Sequence, residues 1–342
     1  MKLTKSEFNP VLKPNPGNDW ESLVVCNPGV WYEDGKFYML YRAAGNDVEH
    51  KIHFGLAISE DGVNFNRFSD QPAVAPSIDG PDMGGVEDAR IVKFDSEYYI
   101  TYAYRPFPPG QYWNFGHDEI MLPECGADAP LVLKNNIANS GLIVTKDLTD
   151  FNQYRRLGRI TQSNLDDRDV ILFPEKINGK YAMLHRPKEW IGEEYGCNYA
   201  SIWLKFSDDL MNWETSKSTL LLTGIEGTWE EKIGGSTPPL RTDDGWLVIY
   251  HGVENGGKGY YRVGAVLLDL EDPTIVKGRL KDWIMEPEHY YEIEGYYQGC
   301  VFPTANMIID DTLYVYYGGA DKYVGLATCS VSELLNEFKN EQ

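Results

Sequence analysis

One phrase of the sequence occurs five times: a turn rich in Gly, Asp or Asn, followed by a short run of aromatic and β-branched residues. The runs begin at the anchor residues Phe37, Tyr98, Tyr181, Trp246 and Leu313. The intervals between anchors are 61, 83, 65 and 67 residues in a chain of 342 residues. Units of strand, turn and strand of this length are too long for a solenoid repeat and are typical of four-stranded propeller blades. The repeat therefore predicts an all-β fold, a five-bladed β-propeller, with residues 1–342 as a single domain.

Three segments lie outside the repeat. The residues before Asn18 are expected to pack on the outside of the propeller or to close its ring. From about 330 to 340 the pattern predicts one amphipathic helix, with Leu334, Leu335 and Phe338 on one face. Residues 106–136 form the longest stretch without the repeat and contain Trp113 and His117. Long loops in compact domains are usually functional or disordered, and the aromatic content favours an ordered loop over the entrance of a site.

Charge and composition exclude several classes of protein. The formal net charge of −21 argues against binding to nucleic acid or to anionic lipid through a basic surface. No apolar stretch approaches 18 residues, and the first residues lack an apolar signal core, so we expect a cytoplasmic protein without a membrane span. The five cysteines and six histidines show no close ligand spacing, which predicts free thiols and no catalytic metal.

The strands that enter the predicted blades contain polar residues at one recurring position. Ten residues before the anchors lie Asn27 and Asp88, and the matching regions of the third and fourth blades contain Arg168, Asp169 and Ser236. Entering strands of a propeller line its axial channel, so these side chains should face one another. Their simplest role would be to bind channel water; the alternative is a ligand site.

The segment 85–90 (GVEDAR) is the densest of these regions. Neighbouring residues on a strand point to opposite faces, so only one of its two carboxylates should face the channel. The spacing from Tyr98 selects Asp88, and Glu87 and Arg90 are expected to bond within or between blades. A carboxylic acid in a closed, aromatic-lined pocket can serve as a general acid near neutral pH.

Several motifs together resemble glycoside hydrolase family 130, whose members are five-bladed propellers that act on β-mannosides, mostly as phosphorylases and in some cases as hydrolases. The resemblance runs in order over roughly residues 20 to 330. It is carried by residues 27–30 (NPGV), 85–90 (GVEDAR), 172–181 (LFPEKINGKY), 185–187 (HRP), 245–252 (GWLVIYHG) and 316–321 (YYGGAD).

The resemblance implies roles for individual residues. Asp88 would be the catalytic acid, passing its proton through a hydroxyl of the bound mannose to the glycosidic oxygen. The implied contacts to the mannosyl unit or to the attacking oxyanion are Asn27, Arg42, Lys232 and Asp321. Further candidates for an anion pocket are Arg105, Arg168, His185 and Arg186. The chain departs from the family in having Ala89 where Pro is usual, and in the length of residues 106–136, so acceptor specificity is not carried over.

Two reactions remain open, and both would invert the anomeric centre. Hydrolysis requires a second carboxylate about 6.5–9.5 Å from the acid, as a base for water. The candidates in predicted loops are Glu189, Glu193, Glu194, Glu230 and Glu231. Phosphorolysis requires cations around a dianion. Because Arg42 and Arg186 recur at matching repeat positions, we favour a phosphorylase with inorganic phosphate as co-substrate and no organic cofactor.

A third hypothesis is a carbohydrate-binding propeller without activity, or a scaffold that presents loops to a protein partner. Asp88 at the expected position argues against lost activity, and a closed aromatic channel argues against a flat interaction surface. The linkage, the acceptor sugar and the oligomeric state have no signature in the sequence.

Overall fold

Antiparallel strands dominate the computed structural model, which describes residues 1–114, 120–214, 216–254 and 259–341. The fold is all-β, as predicted. In chain order the strands are β1 Thr4–Lys5, β2 Val24–Glu33, β3 Lys36–Ala44, β4 Ile52–Ser59, β5 Asn66–Arg67, β6 Gly85–Phe94, β7 Glu97–Arg105, β8 Asn139–Thr145, β9 Arg155–Arg159, β10 Asp167–Leu172, β11 Tyr181–Pro187, β12 Ile202–Ser207, β13 Thr219–Leu222, β14 Lys232–Gly235, β15 Leu240–Thr242, β16 Gly245–Val253, β17 Tyr261–Leu268, β18 Val276–Arg279, β19 Val301–Ile309, β20 Thr312–Gly319 and β21 Tyr323–Ser330. The α-helices are α1 Leu131–Lys134, α2 Tyr290–Ile293 and α3 Val331–Asn340.

The strands fall into five consecutive antiparallel groups. The first four groups are β2–β5, β6–β9, β10–β13 and β14–β18, and in the last group β19–β21 are joined by β1. The N-terminal strand therefore adds to the C-terminal group, with Thr4 opposite Thr328. A single parallel bridge, Ile52 to Gly85, connects the first two groups into one eight-stranded sheet.

The five anchor residues occupy the same place in every group. Each is the first or second residue of the group's second long strand, namely β3, β7, β11, β16 or β20. The turns before these strands require positive φ angles, which Asp, Asn and Gly tolerate. For example, Asp34 and Gly35 have φ of 50° and 76°, and Asn178 and Gly179 have φ of 50° and 81°. The turn residues of the repeated phrase thus set where each hairpin reverses.

A tyrosine of the second strand lies over a glycine of the third strand in four of the five groups. A Cβ atom on three of these glycines would collide with the tyrosine ring, and on Gly141 it would lie only 3.0 Å from the ring of Tyr102, so the ring occupies the space that a side chain would fill. Such packing of an aromatic ring over a strand glycine supports the ladder locally. The pairs are Tyr41–Gly55, Tyr102–Gly141, Tyr250–Gly264 and Tyr317–Gly325.

Beside each of these tyrosines lies a buried acid that is paired with a cation from an outer strand. The carboxylate of Glu21, for example, accepts hydrogen bonds from the Tyr41 hydroxyl at 2.9 Å and from Arg67 Nε at 2.7 Å. The equivalent acid–cation pairs are Asp82–Arg156, Glu230–Arg279 and Glu292–Lys5. In the third group His185 takes the place of the tyrosine and contacts Asp167. These acids belong to a repeated structural network.

The C-terminal helix α3 covers Val331–Asn340, where the sequence predicted a helix from about 330 to 340. Its N-cap is Ser330, whose hydroxyl accepts a hydrogen bond from the backbone of Glu333. Leu334 and Phe338 are buried, and Leu335 is partly buried.

All five cysteines are free thiols. Among the described residues, no helix has the length and apolar character of a membrane span. The predicted loop over the site includes residues 115–119, which, with His117, lie outside the described residues.

Candidate active site

The entering strands β2, β6 and β10 each contain a bulge at the position that the sequence marked. Two residues there oppose one residue of the neighbouring strand, because the register shifts between Cys26 and Gly29, between Glu87 and Arg90, and between Arg168 and Ile171. The first residue inside each bulge has a positive φ: 43° at Asn27, 57° at Asp88 and 55° at Asp169. Asn and Asp tolerate this left-handed conformation better than most residues. The bulges therefore explain why these residue types recur.

The bulge also corrects one prediction. Strict alternation along β6 predicted that only Asp88 would face the channel, but Glu87 and Asp88 both line the same cavity. A bulge re-aims side chains because it interrupts the two-residue periodicity of a strand. Glu87 does bond within and between groups, as expected: Arg42 NH1 lies 3.3 Å and Arg105 Nε 3.5 Å from its carboxylate oxygens.

The cavity has a volume of about 430 Å³ and receives residues from all five groups of strands. Its wall contains six cationic side chains and four carboxylates among the described residues. The cations are Arg42, Arg105, Arg168, Arg186, Lys188 and Lys232, and the carboxylates are Glu87, Asp88, Asp169 and Asp321. A local excess of positive charge in a chain of net charge −21 indicates a site for an anionic ligand.

Asp88 is oriented by residues from the first group. Its Oδ1 accepts a hydrogen bond from Asn27 Nδ2 at 2.8 Å and another from Arg42 NH1 at 3.1 Å. Oδ2 accepts none from any other described residue. Glycine at position 318 makes room for this arrangement, since a Cβ atom there would collide with Asn27 Oδ1. One carboxylate oxygen is thus held and the other is available to a ligand in the cavity.

Asp169 lies at the centre of a second cluster. Arg186 Nε donates to its Oδ2 at 2.6 Å, and Arg90 NH2 lies 3.6 Å from Oδ1. Burial opposes ionisation of Asp169, but Arg186, His251 and Arg90 outweigh burial and hold its pKa well below the usual range. Burial lowers the pKa of His251 to about 4, so its imidazole is neutral near pH 7. The Nδ1 of that imidazole lies 3.1 Å from Ser236 Oγ.

Three arginines form a cationic wall. Arg168 makes two hydrogen bonds to Asp166, at 2.7 and 3.1 Å, and this acid raises the pKa of Arg168. Burial and the charge of Arg168 lower the pKa of Arg105. Burial and the charge of Arg168 oppose ionisation of Arg186, but Asp169 outweighs them and raises its pKa. Guanidinium groups close enough to repel one another favour a bound anion, which relieves the repulsion.

Asp321 lines the cavity and lies two residues after the end of the strand β20. It has a φ of 53°, and its Oδ2 accepts a hydrogen bond from the Tyr112 hydroxyl at 2.9 Å. Burial raises the pKa of Asp321, whereas Arg42 and the Tyr112 hydrogen bond lower it. Tyr112 belongs to the loop that the sequence placed near the site entrance.

Several sequence candidates lie outside the cavity lining. His185 is buried, with Nδ1 2.9 Å from Asp167 and Nε2 3.0 Å from Ser218. Glu230 accepts hydrogen bonds from Tyr250 and Arg279 in the repeated acid network. Four other glutamates proposed as bases also lie outside the lining: the exposed Glu189, Glu193 and Glu194, and the buried Glu231, which bonds to Tyr199. Asn27, Arg42, Asp88, Arg105, Arg168, Arg186, Lys232 and Asp321 do line it.

His251 is a cavity residue that sequence reasoning missed. It lies five residues after its anchor, Trp246, as Arg42 and Arg186 lie five residues after theirs. The spacing of the repeat therefore indicated His251 as a cavity residue. It did not indicate His185, which lies four residues after its own anchor, Tyr181. Tyr112 had no comparable signal, because it lies in a loop outside the repeat.

Among the described residues, no group of three His, Cys, Asp or Glu side chains could hold a metal ion.

Comparisons of the sequence with known proteins identify the family of this chain. The family model of glycoside hydrolase family 130 described as beta-1,4-mannooligosaccharide phosphorylase matches residues 3–108 and 135–340. The 1,2-beta-oligomannan phosphorylase of Thermoanaerobacter sp. (strain X514) is 38% identical over 343 residues, covering 98% of this chain and 99% of the relative. The Beta-1,2-mannobiose phosphorylase of Listeria innocua is 34% identical over 371 residues, covering 100% of this chain and 99% of that protein.

A solved structure gives the same result at the level of the fold. The Beta-1,2-mannobiose phosphorylase from Listeria innocua, in complex with beta-1,2-mannobiose, superposes with a TM-score of 0.77 at 26% identity, covering 99% of each chain. The family match and the full-length relatives establish the class: the chain belongs to glycoside hydrolase family 130.

Proposed function

We propose that this protein is an inverting β-mannoside phosphorylase that releases mannose 1-phosphate from the non-reducing end of a β-1,2-linked mannoside. The observation that carries the proposal is the cationic wall of Arg105, Arg168 and Arg186 in the same cavity as Asp88. The linkage follows the names of the full-length relatives, which act on β-1,2-mannosides at 34–38% identity. The family model is described by a β-1,4 activity, so linkage is part of the test.

The five groups of strands correspond in this proposal to five blades of one propeller that spans the whole chain. Three observations support it: the equivalent anchor strands, the repeated acid networks, and the pairing of β1 with β21, which would close the ring. The entering strands β2, β6, β10 and β14 all contribute residues to the cavity, as strands around a common axis would.

Asp88 serves as the general acid in the proposed reaction. A phosphate oxygen attacks the anomeric carbon of the mannosyl unit while the bond from that carbon to the glycosidic oxygen breaks. The leaving oxygen receives a proton that originates on Asp88, relayed by a mannose hydroxyl as the resemblance implies. Asn27, Arg42 and Asp321 contact the mannosyl unit. Because phosphate attacks from the face opposite the leaving group, the configuration inverts.

Phosphate binds against Arg168, Arg186 and Lys232, with Arg105 and His251 nearby. Arginine forks bind phosphate oxygens in pairs, and Lys232 adds a point charge. Lys232 is exposed at the cavity, and its ammonium group has no hydrogen bond to another described residue. The imidazole of His251 is neutral near pH 7, so it can donate one hydrogen bond to phosphate without adding a positive charge.

Hydrolysis is disfavoured by the carboxylates that line the cavity. A general base for water is most effective with a pKa near the working pH. Asp169 has a pKa well below the usual range and is held by arginines, so it is a weak base. The glutamates suggested from the sequence lie outside the lining. Asp321 is the cavity carboxylate with a raised pKa, and it would be the first residue to test as a base if water proved to be the nucleophile.

The decisive experiment incubates the protein with β-1,2-mannobiose or β-1,4-mannobiose across a range of phosphate concentrations. We expect the rate to rise with phosphate to saturation, with mannose 1-phosphate and mannose in equal amounts and the β-1,2 substrate preferred. A rate independent of phosphate, with free mannose as sole product, would reject the phosphorylase in favour of a hydrolase. Binding of mannobiose without cleavage would support a carbohydrate-binding protein instead.

A further inference from the structure

One segment of the chain contributes to the cavity although the family model does not match it. The match ends at residue 108 and resumes at residue 135, and within this interval Pro109, Tyr112 and Ile120 line the cavity. The segment is anchored at its base by Asn136, whose side chain exchanges two hydrogen bonds with the backbone of Phe107 at 3.0 Å each. A polar anchor of this kind gives the start of the segment a defined position.

Tyr112 is held on several sides. Its side chain is buried, and its ring contacts the edges of His50 and Trp113, at centroid distances of 5.8 and 5.3 Å. Trp113 packs in turn on Tyr296, at 4.4 Å. The adjacent backbone is fixed by a hydrogen bond from Gly110 N to Glu49 O at 3.0 Å. The Tyr112 hydroxyl therefore has a defined position relative to the cavity.

The partner of that hydroxyl is Asp321, 209 residues further along the chain. The hydrogen bond of 2.9 Å occupies Oδ2, and Oδ1 accepts no hydrogen bond from another described residue. Both Ala320 and Asp321 have positive φ, at 49° and 53°, so the backbone that presents this carboxylate is held in an unusual conformation. Because Tyr112 fixes Oδ2, the carboxylate group cannot rotate freely, and Oδ1 has a defined orientation toward a sugar hydroxyl.

We propose that Tyr112 is a positioning residue that orients Asp321 toward the mannosyl unit, so that a segment outside the family match determines how tightly this chain binds its mannoside. The inference rests on the proposed function for the identity of the sugar. It assigns to Tyr112 no contact with phosphate, because the cationic wall is formed by Arg105, Arg168 and Arg186.

The physical basis is the strength of a hydrogen bond to an ionised acceptor, which is about twice that of a neutral bond. Without the Tyr112 hydroxyl, the side chain of Asp321 can rotate or bind water. Each binding event must then order this side chain again, which costs free energy. Such a loss should weaken sugar binding and leave phosphate binding nearly unchanged. A purely structural role for Tyr112 would instead disturb both ligands or the stability of the fold.

The test compares Tyr112→Phe with the wild type, using β-1,2-mannobiose and inorganic phosphate as the two varied substrates. We expect the KM for mannobiose to rise about tenfold and the KM for phosphate to change less than about twofold. Tyr296→Phe is the matched control. It removes a hydroxyl from the ring that supports Trp113, without touching Asp321, and both KM values should stay within about twofold of the wild type.

A double-mutant cycle with Asp321→Asn links the effect to its partner. Asn tolerates the positive φ of position 321 and makes only a neutral hydrogen bond, so Tyr112→Phe should cost less than about threefold in that background. An unchanged mannobiose KM in Tyr112→Phe, equal rises in both KM values, or full additivity with Asp321→Asn would each overturn the inference.

Failure of the proposed function gives a different result. If cleavage by the wild type is independent of phosphate, the phosphorylase proposal fails. The effect of Tyr112→Phe on the mannobiose KM still supports or overturns the role of Tyr112, because that comparison does not require phosphate to be the nucleophile. If the wild type binds but does not cleave mannobiose, the dissociation constants of the same variants replace the KM values.

Discussion

The side-chain amide of Asn27 donates a hydrogen bond of 2.8 Å to Oδ1 of Asp88, and the two residues occupy equivalent bulges on the entering strands of the first and second groups. Asn27 thus fixes one carboxylate oxygen of Asp88 from a hairpin other than the one to which Asp88 belongs. An asparagine and an aspartate at matching repeat positions thus do different work: the first orients, and the second is proposed to deliver a proton.

Asp88→Asn should leave the fold and the affinity for mannobiose close to those of the wild type and should lower kcat by about 10²–10⁴-fold, the usual contribution of general acid–base assistance. Asn fits the φ of 57° at this position. The measurement is the rate of phosphorolysis at saturating substrates, with the thermal midpoint as a test of folding. Asp95→Asn is the control, because Asp95 is exposed and also has a positive φ, 54°. A loss below about tenfold would assign proton delivery to another residue.

Lys232→Gln should raise the KM for phosphate by about tenfold, since a charge-assisted contact to the dianion is lost. The KM for mannobiose should change less than about threefold. Initial rates over a matrix of both substrates separate the two constants. Lys180→Gln removes an exposed lysine that does not line the cavity, and it controls for the change in net charge. Equal effects of the two variants would show that Lys232 acts only through the net charge of the protein.

Glu230→Gln should lower the free energy of unfolding by about 2 kcal/mol, because it weakens a buried acid that is bonded to Tyr250 and Arg279. Both KM values should remain near those of the wild type. Glu175→Gln is the matched control: its pair with Arg241, at 3.4 Å, is about half exposed and should contribute less than about 1 kcal/mol. Loss of turnover with unchanged stability in Glu230→Gln would instead indicate a catalytic base.

His50 should make stability depend on pH below neutrality. Burial, with the charge of Arg42, lowers its pKa from 6.5 to about 4. The unfolded chain therefore binds a proton between these values that the folded chain does not, so stability falls as the pH drops from about 6.5 to 4, by at most about 3 kcal/mol from this residue. His50→Asn, which suits the φ of 50°, should flatten that part of the curve. Chemical denaturation at pH 7.5 and 5 measures the difference, and identical slopes for the two proteins would contradict the assignment.

Local sequence determined the hairpins of this protein. The Asp, Asn and Gly residues of the repeated phrase tolerate positive φ, so they placed the turns and the anchor strands correctly. The spacing from those anchors also located Asn27, Asp88 and Asp169, because a position that requires a bulge selects Asn and Asp. Such features depend on backbone conformation over a few residues, and a single sequence contains that information.

Tertiary structure decided which side chains share an environment. The bulge brought Glu87 into the cavity beside Asp88, against the simple alternation of a strand. Packing between strands assigned His185 to a buried network and His251, of the same residue type, to the cavity wall. The hydrogen bond from Tyr112 to Asp321 joins residues 209 positions apart. Burial, pairing and pKa arise from contacts between distant segments. The repeat spacing could therefore indicate that position 251 faces the cavity, but it could not specify which partners a side chain meets there.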